Sequence, residues 1–442
     1  MTRRIFVLGS PHKVGGASGE AIGAVHLWRS HGLEVDWIPT WNSPSQAVLD
    51  QCQRMGCNVH LISARHVQDI PGIAGSTVVS FCNDNAFAAR RRLDELGCRH
   101  IFAPLMCFLT TAMRNACNQK HPAAIVFQSQ YQRSVLAPQF RAFGYTDDQM
   151  YQVRGYIDWS SIPFNPRPHI NGSPFVIGRA SRSRPSKWNP RWWKMYERIP
   201  DRQAILLGVD TVTTQQIGRA PKWATIHKPG TVDAAIFWPQ LHAHVTCNDS
   251  DRENWPRTGL ECMAYGVPTC AENRFGWKEM IEHGLTGMLG ETPEQIGDHA
   301  TLLAKDEDLR MAIVHSARRR LETELANPDL IWEQWRSVLG LPCDVVYGIP
   351  PIQTALNQLL EERELINSDF DQSQKTAIPE PTRHRMEPAI EPTDRNLCTD
   401  DATGATEENA GRTIAAEMSP TQEVQQGVAS ESPSTLASPV ET

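Results

Sequence analysis

Short apolar segments alternate with helical ones throughout the first third of this chain. Ile5–Leu8, Val35–Ile38, Val59–Ile62, Val78–Phe81, Ile101–Leu105 and Ala124–Phe127 read as buried strands, with helical patterns such as Ala86–Leu96 and Tyr131–Phe143 between them. That rhythm argues for a parallel sheet covered by helices. It resumes at Phe175–Ile177 and continues through Ala204–Leu207, Ala224–His227, His244–Thr246 and Val267–Ala271. Helices are expected at about Pro190–Glu197, Thr258–Tyr265, Trp277–Glu282, Pro293–Ala304 and Glu307–Leu325. The last of these steps Leu309, Ile313, Ala317 and Leu321 along one face. The segment YIDWSSIPFNPRPHINGSP, with four prolines, separates the two runs and reads as a linker.

The expected organisation is therefore a first α/β domain over 1–155, a linker over 156–174 and a second α/β domain over 175–330. Closing helices over 331–366, beginning with Ile331–Leu339, would pack back towards the first domain, and a tail would occupy 367–442. A length of 442 residues fits two cores rather than one. The tail is rich in Pro, Ser, Thr, Gln and Glu and almost without aromatics, so it is expected to be disordered and acidic.

Charge divides unevenly. Residues 1–170 carry 16 Lys+Arg against 11 Asp+Glu, residues 171–340 carry 21 of each, and residues 341–442 carry 6 against 18. The overall −7 thus belongs to the tail. A mildly basic first domain favours an anionic acceptor or peripheral membrane contact. Eleven cysteines with no C-x-x-C pair fit reduced thiols and a cytoplasmic location. The opening MTRRIFVLGSPHKVGG has too short an apolar run for a signal segment, and no stretch approaches the 18 apolar residues of a membrane span.

The densest cluster of chemistry is DSDRENWPRTGLECMAYGVPTCAENRFGWKEMIEHGLTGMLG, from Asp249 to Gly290. Glu253 and Glu261 stand in it with seven residues between them. A helix whose first turn holds Arg257, Thr258 and Gly259 offers unpaired N–H groups and a positive dipole end to a phosphate. Two carboxylates flanking such a seat suit a ligand with both phosphate and hydroxyls, and a nucleotide sugar is one. Glu261 sits in the otherwise apolar Leu-Glu-Cys-Met-Ala, where a buried carboxylate needs partners. Asp249-Ser250-Asp251 is a D-x-D with no second carboxylate cluster, and His242 with His244 lacks a third ligand, so no metal site is expected. Trp188, Trp192 and Trp193, interleaved with Arg191 and Lys194, read as an apolar helix stripe with snorkelling cations.

The order E-x7-E, G-L-E-C-M-A-Y-G-V-P, then F-G-x-x-E-x-I-x-x-G-x-x-G resembles the donor site of retaining glycosyltransferases with two Rossmann-like domains, the GT-B fold of glycosyltransferase family 4. Gly155, Asp158, Phe164 and Pro166 loosely follow that family's linker. The resemblance implies two Rossmann-like domains facing across a cleft and transfer of a hexose from a UDP-, GDP- or ADP-sugar. It implies retention, no metal, and an acceptor on the first domain, be it glycan, lipid or another molecule. Glu253 would bind donor-sugar hydroxyls, and Glu261 the ribose. Arg179 and Lys187, in GRASRSRPSKW, would grip the leaving diphosphate, as preorganised cations do. By itself that segment is equally a solvated basic loop, since Arg182 and Arg184 crowd it. Gly15 and Gly16, after the first strand, would let backbone approach the ligand from the opposite wall. A His that the family often carries near the reacting sugar is missing from Pro104–Thr111. Two alternatives stay open: a nucleotide-sugar epimerase, for which Glu20, Asp84 and Asp94 are the first-domain carboxylates, and a non-catalytic sugar-nucleotide-binding protein.

Overall fold

In the computed structural model, residues 4–9, 16–39, 44–82 and 84–342 are described. Seven parallel strands form the first sheet: β1 (Arg4–Leu8), β2 (Glu34–Ile38), β3 (Asn58–Val59), β4 (Thr77–Phe81), β5 (Arg99–Ala103), β6 (Ala124–Phe127) and β7 (Met150–Gln152). Their order is β3-β2-β1-β4-β5-β6-β7. Six parallel strands form the second: β8 (Phe175–Ala180), β9 (Arg202–Leu207), β10 (Ala224–His227), β11 (Ala243–Val245), β12 (Thr269–Glu272) and β13 (Met288–Gly290), in the order β10-β9-β8-β11-β12-β13. Both orders reverse direction beside the first strand of their sheet. Such a switch point opens a crevice beyond the carboxyl ends of the strands.

The central strands read as continuous apolar runs because helices cover both faces of each sheet. Phe6, Val7, Leu8, Val78, Val79, Ile101 and Phe102 are fully buried. The edge strands β7 and β13 and the helices Thr111–Asn118 and Thr211–Ile217 were not expected from the sequence. β7 and β13 have only three residues each, too few to show a period.

The helix Pro328–Leu339 follows the second sheet yet belongs to the core of the first. Ile331, Trp335, Val338 and Leu339 pack there, with the Trp335 ring edge-on to Trp28 at 4.9 Å. Arg99 Nη1 donates to Val338 O at 2.7 Å. The chain thus crosses between the domains twice. The expected disordered tail and most of the expected closing-helix segment lie outside the described residues.

Candidate functional site

A cleft of about 890 Å³ lies between the sheets. Its first-domain wall includes Gly16, Ala17 and Ser18 at the start of the helix Gly16–Ser30, Glu20 one turn on, and the loop Leu105–Phe108. Its second-domain wall includes Arg179, Arg182, Arg184, Lys187 and the run from Ser250 to Thr258.

Glu253 and Lys187 meet directly. Lys187 Nζ donates to Glu253 Oε1 at 2.6 Å and lies 3.6 Å from Asp251 Oδ2. Asn248 Nδ2 donates to the same Glu253 oxygen at 3.2 Å. Burial pushes the Glu253 carboxyl up, but the Lys187 charge and hydrogen bond, Asn248 and Arg179 together hold it below the usual carboxylate range. In the D-x-D segment the backbone N–H groups of Asp249, Ser250 and Asp251 all point to Ser186 O at 3.1 Å. Among the described residues no group of three or more His, Cys, Asp or Glu is placed to hold a metal ion.

Arg179 differs from its expected place. It lies within β8 and not in the following loop, and it is 2 % exposed. Its guanidinium stacks on the rings of Trp188 and Trp192, at 4.8 and 4.9 Å from their centroids. It also donates to Cys247 O at 2.9 Å and Asn248 Oδ1 at 2.6 Å. Two of the tryptophans read as a helix stripe are therefore the walls of an arginine slot. Arg182 and Arg184 line the same cleft and, unlike Arg179, are exposed to solvent.

The helix Arg257–Tyr265 begins at the cleft, and Arg257 and Thr258 line it. Gly259 does not. Its N–H donates to Pro256 O at 2.9 Å, and a Cβ there would meet Met280 Sδ at 2.4 Å and Trp277 at 2.8 Å. Its smallness serves helix packing, a correction to its expected place in the phosphate seat. Arg257 is itself engaged: Nη1 donates to Tyr156 O at 3.1 Å and lies 3.7 Å from Glu20, while Nε lies 3.8 Å from Glu261. Glu261, one turn further along the helix, is not among the residues lining the cleft and accepts from Trp238 Nε1 at 3.0 Å. Burial raises its pKa, against the pull of Arg257 and Trp238. Gly16 lines the cleft, and Gly15 lies outside the described residues. The loop lacking the family's His presents Leu105, Met106, Cys107 and Phe108 instead.

Glu20 is the group the sequence undervalued. Burial lifts its carboxyl to about 7, against Arg257, a Gln128 hydrogen bond and one to the Tyr156 backbone. Nothing in GASGEAIGAV distinguishes it from a surface helix Glu; its carboxyl lies against Gly155, where a Cβ would fall 2.3 Å from Glu20 Oε2. A carboxyl whose pKa is raised by folding stabilises the fold least when ionised. Relative to the acid limit, stability is lost as pH rises from 4.5 to about 7. Glu20→Gln is therefore expected to flatten that dependence and raise stability at pH 8 by about 1–3 kcal/mol, read from chemical denaturation at pH 5 and pH 8.

Two parallel α/β domains with a cleft at their switch points define the GT-B architecture. Solved structures share it: the Anabaena protein Alr3699/HepE, solved with UDP-glucose, superposes with a TM-score of 0.61 at 16% identity, over 76% of this chain and 100% of that one. TarM superposes with a TM-score of 0.59 at 9% identity, over 77% of this chain and 99% of that one. Residues 238–320, which hold Glu253, Arg257 and Glu261, match the family model described as glycosyl transferases group 1. The capsular polysaccharide biosynthesis glycosyltransferase CapM of Staphylococcus aureus is 28% identical over 108 residues, 24% of this chain and 28% of that protein. The N-acetyl-alpha-D-glucosaminyl L-malate synthase of Bacillus anthracis is 36% identical over 90 residues, 20% of this chain and 21% of that protein. These matches span less than a third of either relative. No helix among the described residues is long and apolar enough to cross a membrane.

Proposed function

We propose that this protein is a glycosyltransferase that moves a hexose from a nucleoside diphosphate sugar to an acceptor hydroxyl, with retention and without metal. The observation that carries this reading is the convergence of Lys187–Glu253, Arg182, Arg184 and the start of the helix Arg257–Tyr265 on one interdomain cleft. In the transfer, the bond from the sugar C1 to the diphosphate breaks. A new C1–O bond forms on the same face, and the acceptor proton passes to a leaving phosphate oxygen. The cations stabilise the charge that develops on that phosphate, in a site arranged beforehand. Glu253, ionised and pinned by Lys187, accepts from sugar hydroxyls, and Glu261 from the ribose. A UDP-sugar is the first donor to try, because the Anabaena neighbour was solved with UDP-glucose.

Thermal-shift and turnover measurements with UDP-, GDP- and ADP-sugars, in EDTA, test the reading. One donor is expected to raise Tm and to be hydrolysed slowly. Glu261→Ala should abolish the shift, as losing a ribose-binding carboxylate costs about 1.5–3 kcal/mol. If no donor shifts the wild type, the reading fails. Loss of turnover in EDTA would overturn metal independence, and the anomeric proton coupling of the product decides retention. Glu20 and Asp84 both line the cleft, as an epimerase would need. Asp84 accepts from Thr110 at 2.7 Å and Glu20 faces Arg257, so neither stands free. A sugar nucleotide incubated without acceptor keeps its sugar under the transferase reading and changes it under the other.

A further inference from the structure

The helix Gln130–Ala142 of the first domain has its N-terminus finished by the second domain. A helix start leaves its first backbone N–H groups without intrahelical partners. Here Ser129, the cap residue, takes the N–H of Gln132 at 3.0 Å through its hydroxyl. The N–H groups of Gln130 and Tyr131 go to the two carboxylate oxygens of Glu279, at 2.9 and 2.5 Å. A carboxylate at that end also complements the helix dipole. The Phe275 ring lies beside Tyr131, 5.1 Å between centroids.

Asn254 makes the second half of the joint. Its Oδ1 accepts from the Ser129 hydroxyl at 2.6 Å, and its Nδ2 donates to Gln128 Oε1 at 2.9 Å. Asn254 is buried, so both ends of the amide are satisfied only while the domains are together. Asn254 follows Glu253 directly. The carbonyl of Glu253 accepts from Gly276 N at 2.8 Å, and Gly276 shares the helix Phe275–Met280 with Glu279. Glu253 is thereby braced on both sides by groups that dock on the first domain.

We infer that Asn254 and Glu279 are positioning residues, which seat the donor domain on the start of the helix Gln130–Ala142 and so fix Glu253 for transfer. Their side-chain polar atoms are taken up by the first domain, those of Asn254 by Ser129 and Gln128 and those of Glu279 by the N–H groups of Gln130 and Tyr131. Their contribution is to the geometry of the closed cleft, and this role rests on the proposed transferase reading. The consequence is a split between binding and chemistry. The second domain alone carries Lys187, Arg179 and Glu261, so nucleotide affinity survives loss of the joint. Turnover does not, because misplacement of a reacting group by about 1 Å can cost on the order of a hundredfold.

The test uses the full-length chain and the variants Glu279→Ala, Glu279→Gln and Asn254→Ala. Backbone hydrogen exchange at Gln130 and Tyr131 needs no ligand. Glu279→Ala is expected to speed it at least about tenfold, and Glu279→Gln, which keeps one acceptor oxygen, by less. Whichever of UDP-, GDP- and ADP-glucose the wild type hydrolyses then serves for kinetics. For Glu279→Ala and Asn254→Ala, kcat is expected to fall by about tenfold to a hundredfold, with the dissociation constant of the nucleoside diphosphate within about twofold of wild type. Glu279→Gln should recover part of kcat, which a general loss of stability would not allow. Unchanged exchange in Glu279→Ala, or nucleotide affinity falling in step with kcat, would overturn the inference. A wild type that binds none of the donors sinks the transferase reading instead, while the exchange measurement still decides whether the joint forms.

Discussion

Glu253→Gln is expected to lower sugar transfer by on the order of a hundredfold to a thousandfold, the usual cost of one preorganised polar group at a reacting centre. The amide keeps the shape of the carboxylate, so the effect isolates charge. In the native cleft, the Glu253 carboxylate neutralises Lys187 at 2.6 Å and receives Asn248 at 3.2 Å. Removing its charge leaves Lys187 with Asp251, at 3.6 Å, as its remaining anionic partner. Lys187 then pairs with the donor diphosphate before reaction as strongly as after it, and its selective pull on the leaving group is lost. Nucleoside diphosphate affinity is expected to stay the same or tighten while kcat collapses. Titration calorimetry with the diphosphate, beside turnover of its sugar ester, reads both. A parallel loss of affinity and kcat would show that Glu253 is merely structural.

The fold was legible because its strands are buried on both faces. Continuous apolar runs such as IFVL and AIVF leave little room for another reading when helices separate them. What escaped were elements with too little length to show a period, such as β7 and β13, and helices of polar composition such as Thr111–Asn118. The site was legible to the extent that its residues are close in sequence. The spacing of Glu253 and Glu261 set both in one short segment of the second domain, of which Glu253, Arg257 and Thr258 line the cleft while Glu261 does not. Arg179 was assigned to a loop because GRAS loses the apolar signal of the strand. Its burial depends on Trp188 and Trp192 folding back over it, which no local pattern encodes. Gly259 was misread for a related reason: periodicity says that a helix has a small face, not whether a ligand or Met280 lies against it. Glu279 and Asn254 gave no signal, since their partners at 128–131 are more than a hundred residues away in the chain.

Gly276→Ala is expected to cost nearly as much activity as a change at Glu253, though Gly276 bears no chemistry. A Cβ at this position would lie 1.8 Å from Asn254 O and 3.1 Å from Glu253 O. These are backbone atoms, so no side chain can swing aside to make room. Neighbouring positions cannot absorb the clash either, because Gly276 N is already bonded to Glu253 O at 2.8 Å, and Phe275 beside it holds a left-handed φ of 59°. Strain of that kind, of about 1–3 kcal/mol, persists only where surrounding contacts impose it. The Glu253–Asn254 segment must therefore retreat by more than an ångström, which carries the carboxylate away from Lys187 and the Asn254 amide away from Ser129. Stability should fall by about 1–3 kcal/mol for overpacking, and kcat by on the order of a hundredfold from misplacement of the reacting groups. Thermal unfolding and turnover at a temperature where the variant is fully folded separate the two effects. A variant that loses stability but keeps wild-type kcat would mean that Glu253 does not need the register this glycine enforces.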